Sequence, residues 1–63
     1  MNQQQFKGNW KQLKGKVKQT WGDLTDDEVT KINGEYDQLV GLIQKKYGHS
    51  KDQAEKQVNQ LME

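Results

Sequence analysis

The sequence predicts an all-α fold, a small compact bundle of about four short helices paired as two helical hairpins. Three observations predict it. Large apolar residues recur at spacings of three and four, which at 100° per residue keeps them on one helical face. Starting and stopping signals for helices stand at the joints between these runs. No proline and no strand-like alternation interrupts them.

The first helix is predicted near residues 4–21. Phe6, Trp10, Leu13, Val17 and Trp21 follow one another at spacings of four, three, four and four. Both tryptophans and the only phenylalanine are in this stripe, so the largest apolar area lies on one face. Such a stripe could stack bases or lie on a membrane. A chain with so few other large residues needs it for a core. Gly22 follows as the residue best able to end the helix in a left-handed conformation, and Leu24 returns the connection to the core.

Thr25-Asp26-Asp27-Glu28 reads as a capping box, with the acids also favourable at the positive end of a helix. The second helix, 26–33, offers Val29 and Ile32 to the core and stops at Asn33-Gly34. The third, 35–47, carries Tyr36, Leu39, Val40, Ile43 and Tyr47, a wider apolar face and the expected partner of the tryptophan stripe. Leu42 falls about 120° off that face, at the core's rim or exposed as a contact. Tyr47-Gly48 ends this helix. Ser50-Lys51-Asp52-Gln53 reads as a second capping box, opening a fourth helix at 51–62 with Ala54, Val58, Leu61 and Met62 inward.

With 63 residues, the chain is expected to be one domain spanning 1–63, near the lower limit for a core without disulfides or metal. Only 30% of its residues are hydrophobic, so a net stability of about 3–5 kcal/mol is expected. There is no cysteine, which excludes a disulfide framework and thiolate metal ligation. No run is apolar enough for a signal peptide or a membrane span, so a soluble cytoplasmic protein is expected. Ten lysines oppose nine acids, for a net charge of +1. Arginine is absent, which weakens any proposal of bidentate phosphate or base recognition. Charge is segregated: residues 1–21 carry +5, residues 22–37 carry −5 and the rest +1. That layout reads first as attraction within the chain and second as a binding surface.

Gly8-Asn9-Trp10-Lys11-Gln12-Leu13-Lys14-Gly15-Lys16-Val17-Lys18, then Trp21-Gly22-Asp23-Leu24-Thr25-Asp26-Asp27, resembles the signature of the CsbD-like family of small bacterial proteins. Gly34, Asp37-Gln38-Leu39-Val40-Gly41, Ile43-Gln44 and Tyr47-Gly48 resemble its second block, and Ala54-Glu55 its tail. The resemblance covers nearly the whole chain. It implies a bundle of about four helices, a cytoplasmic location and production under general stress. It implies no reaction and carries over no catalytic or ligand-binding residue. Other members often have arginine at Lys46 and near Glu35, so an arginine-dependent role is disfavoured here.

Candidate surface contacts are few. Lys7, Lys11, Lys14 and Lys18 form a row rotated about 100° from the apolar stripe, able to track a phosphate backbone or anionic lipid, or simply to be a solvated face. Gly8, Gly15 and Gly22 share the back of the first helix, and Gly15, as an interior glycine, is the anomalous one. Gly15 and Leu42 are the candidates for self-association, although a monomer is expected. His49, the only histidine, has no cysteine and no second histidine to pair with and is a poor metal candidate. Asp23, Asp26, Asp27 and Glu28 lack the glycine and distal glutamate of a calcium loop. No catalytic, cofactor or metal residue is therefore predicted, and an enzyme is not expected. The leading expectation is a small soluble stress-response protein acting through its hydrated surface or protein interactions. The alternative is weak, salt-sensitive nucleic-acid or anionic-surface binding through the lysine row.

Overall fold

In the computed structural model, which describes residues 3–62, the helices are α1 (Gln3–Gly8), α2 (Trp10–Thr20), α3 (Asp26–Ile32), α4 (Tyr36–Tyr47) and α5 (Lys51–Leu61). No strand occurs among the described residues. Residue 63, on which no inward assignment rests, and residues 1 and 2 lie outside them.

The single helix predicted over 4–21 is instead two. Asn9, at φ −99° and ψ 6°, leaves the helical region between Gly8 and Trp10, where two weak helix formers adjoin. The backbone bends without losing its bonds: Asn9 N donates to Gln5 O at 3.0 Å and Leu13 N to Asn9 O at 2.9 Å. Phe6 and Trp10 both reach the core across this bend. Gly22 does not take the left-handed conformation expected of it. The chain leaves α2 through Trp21 at φ −120°, and Leu24 N donates back to Trp21 O at 3.0 Å, closing a turn that turns both Trp21 and Leu24 inward. Positive φ is found instead at Asn33, Gly34 and Gly48.

The Thr25 capping box forms in full, with Glu28 N donating to Thr25 Oγ1 at 3.2 Å and Thr25 N to Glu28 Oε1 at 3.0 Å. Only half of the second box forms: Ser50 Oγ accepts from Gln53 N at 3.2 Å, without a return bond from the Gln53 side chain. One bond of this kind is enough to start α5.

Sequence neighbours form the hairpins that the short connections predict, α2 with α3 and α4 with α5, while α1 and α3 both pack on α4. The radius of gyration is 10.4 Å, against about 10.6 Å for a folded globule of this length, so the low apolar content has not prevented collapse. The core holds Phe6, Trp10, Leu13, Val17, Trp21, Leu24, Val29, Ile32, Tyr36, Leu39, Val40, Ile43 and Val58, as predicted, together with Ala54. Tyr47 and Leu61, predicted as core, are only half-buried. Tyr47 turns its hydroxyl outward to accept from Asp23 N at 3.3 Å, and Leu61 occupies the last turn of α5 at the edge of the globule.

The tryptophan stripe has two partners, not one. At its first end Phe6 lies 5.8 Å from Tyr36 of α4, edge to face, and 5.5 Å from Trp10. At its other end Trp21 Nε1 donates to Gln57 Oε1 of α5 at 3.3 Å.

Candidate functional site

The predicted lysine row is exposed along α1 and α2, but its two ends are occupied. Lys7 Nζ is 3.4 Å from Glu35 Oε1, and Lys18 is ion-paired with Asp26. Both acids belong to the negative segment 22–37, so the attraction within the chain inferred from charge segregation is realised. The Lys7 and Glu35 side chains are 64% and 55% exposed, and such screened pairs contribute about 0–1 kcal/mol. Lys11 and Lys14 are exposed and have no ion-pair partner among the described residues. A row of four is thereby reduced to a central pair.

Gly15 lies on the exposed side of α2, where an added Cβ would meet nothing within 4 Å; the same holds at Gly8 and Gly22. Leu42 is half-buried beside an open groove of about 450 Å³ between α3 and α4, also lined by Ile32 and Gly41. Glu28, Asp37, Lys31 and Lys45 border the same groove, two of each sign, so it presents no net field to a charged partner.

Sequence reasoning missed a lysine. Lys46 Nζ donates to Glu28 Oε1 at 2.7 Å and to Asp23 O at 3.2 Å, tying the connection after α2 to the end of α4. The Lys46 ammonium, then the Thr25 amide, hold the Glu28 carboxyl below its ordinary value of 4.5. Glu28 thus serves a cap and an ion pair at once. Tyr36 shifts the other way: burial first, then the charges of Glu55 and Asp37, raise its phenol, whose hydroxyl donates to Asn59 Oδ1 at 3.2 Å.

Also missed was a second groove, of about 520 Å³, where α2, α5 and the turn after α4 meet. Trp21, Tyr47, His49 and Gln57 line it. The Tyr47 and His49 rings stack 6.2 Å apart at 10°, and Gln57 Nε2 lies 3.3 Å from His49 Nε2. A signal for Gln57 was present. It falls three residues after Ala54 and four before Leu61, a polar residue on an apolar face, and such a residue needs a partner. His49 gave no such sign, since its partner is eight residues away on another element.

Among the described residues no three His, Asp or Glu side chains gather as a metal-holding group, and no helix is long and apolar enough to cross a membrane. Among the described residues the exposed features include a pair of lysines, a glycine-bearing helix back and several open grooves.

Residues 4–56 match the family described as CsbD-like. The UPF0337 protein YjbJ of Escherichia coli (strain K12) is 64% identical over 58 residues, covering 92% of this chain and 84% of the relative. The protein of that name from Salmonella typhimurium is 62% identical over 58 residues, covering 92% and 83%. The UPF0337 protein pc0632 of Protochlamydia amoebophila is 53% identical over 57 residues, covering 90% and 86%. No solved structure matches significantly. With a family match over most of its length and relatives sharing more than half of their aligned residues, this chain belongs to the CsbD-like family.

Proposed function

We propose that the chain is a small stress-response protein without catalytic activity, acting through its hydrated surface or through protein contacts made there. The observation that carries this reading is the division between core and surface. Every side chain buried in the core is apolar, both tryptophans included, while the lysines and most of the glutamines face water. The lysine ammonium is strongly hydrated, which suits a protein that must stay dissolved when water is scarce. The test is to dry a labile enzyme alone, with this chain, and with equal mass of an unrelated small soluble protein, then compare recovered activity. Recovery with the chain no better than with the unrelated protein removes the protective reading. A cellular level that does not change on osmotic upshift removes the stress role.

A second reading, weak binding to nucleic acid or an anionic surface, is favoured by one observation: Lys11 and Lys14 stand exposed and unpaired by any described acid. Two phosphate contacts would give a log–log salt slope of roughly −1.8. Titration against DNA and RNA at two salt concentrations tests it, with the double variant Lys11→Glu, Lys14→Glu as control. Binding that is absent at low salt, or that survives the double variant, rejects it.

A further inference from the structure

The Gln57 amide is engaged on both sides. Its Oε1 lies 3.3 Å from Trp21 Nε1, and its Nε2 lies 3.3 Å from His49 Nε2. An indole nitrogen can only donate, so the atom facing it has to be the amide oxygen. That assignment determines the rest of the chain of bonds. The amide nitrogen faces His49, so His49 Nε2 accepts and the ring proton sits on Nδ1. The contact joining α2, the turn after α4 and α5 is complete only with a neutral imidazole.

A proton on His49 makes both ring nitrogens donors. Nε2–H then faces the amide NH2. Rotating the amide by half a turn offers its oxygen to His49, but sets the NH2 against the indole N–H. One of the two bonds is lost in either orientation. Trp21 is buried and its bond to Gln57 is part-buried, so a lost acceptor costs more there than on an open surface. The groove around the ring is lined by Thr20 at the end of α2 and Trp21 just beyond it, from α4 by Tyr47, and from α5 by Gln57, Gln60 and Leu61. Tyr47 is the one other titratable group in that lining, and no carboxylate in it offsets a charge on the imidazole.

We infer that Trp21, Gln57 and His49 form an acid-sensitive latch between α2 and α5, closed with neutral His49 and opened at one end when His49 gains a proton. The latch responds to acid because a proton on His49 converts Nε2 from acceptor to donor.

The experiment follows the indole N–H cross-peaks of the full chain in proton–nitrogen spectra between pH 8 and 5. The Trp21 cross-peak should move with the same midpoint as the His49 ring protons, and the Trp10 cross-peak should not. His49→Gln should abolish the movement. Gln57→Glu provides a sign reversal, because a carboxylate accepts from indole and imidazolium together. Between pH 8 and 6 its urea midpoint should rise on acidification, where that of the native chain falls. A Trp21 cross-peak that stays fixed, a titration that persists in His49→Gln, or a Gln57→Glu midpoint that falls like the native one would each overturn the latch.

Discussion

Gly34 is the position at which one added carbon should do most damage. It is buried with φ +77°, and an ideal Cβ there would stand 3.2 Å from Lys7 Cγ, 3.3 Å from Lys7 Cα and 3.3 Å from Trp10 Cβ. Alanine in a left-handed conformation costs about 1–2 kcal/mol. The contacts add to this. Ordinary carbon–carbon separations are about 3.5–4.0 Å, and while the Lys7 stem can give way, the Lys7 backbone and the anchored Trp10 cannot; overpacking of this kind costs about 1–3 kcal/mol. The two together come to about 2–5 kcal/mol, comparable with the ~3–5 kcal/mol expected for the whole domain. Gly34→Ala should therefore remove most of that stability at 25 °C, as read by urea titration with tryptophan emission. Gly34→Asn separates the two causes, since asparagine tolerates the left-handed region but brings the same Cβ. It should fall between alanine and the native residue. A Gly34→Ala stability within about 0.5 kcal/mol of native, the ordinary range for an inconsequential surface change, would refute the reasoning.

Three further outcomes follow from the same structure. Gly15→Ala, in the interior of α2 with open space around it, should raise stability by up to about 1 kcal/mol in the same titration. Thr25→Ala removes the hydroxyl that receives Glu28 N and should cost about 1 kcal/mol, with the loss visible as a lower urea midpoint and an unchanged slope. Glu28 is held below its ordinary 4.5 by Lys46 and the Thr25 amide, so its contribution is fully present above that pH and disappears as pH falls through the lowered folded value. Lys46→Met should then move the acid-unfolding limb to higher pH in a circular-dichroism titration, and an unmoved limb would show that the pair is not formed in solution.

Much of the fold was legible because a helix is made by its own neighbours. The spacing of Phe6, Trp10, Leu13, Val17 and Trp21, and the Thr25 and Ser50 caps, needs only residues three and four apart to be read. Even so, the bend at Asn9 escaped notice, because continuous apolar periodicity across Gly8-Asn9 conceals a local change of backbone angle. The candidate surface was legible in part. The lysine row could be seen, but not the capture of its ends by Glu35 and Asp26, which depends on where another segment lands.

By itself, then, the chain's order of residues determined its helices, its apolar side and the sign of each segment, all of which arise from short-range spacing. Only the tertiary structure decided that Gly34, not Gly15, is the glycine that cannot change, that Lys46 binds Glu28, and that Gln57 joins Trp21 to His49. The physical reason is distance. Each of these depends on atoms brought within about 3.5 Å from elements remote in sequence, and no periodicity along one helix records how closely its neighbour will approach.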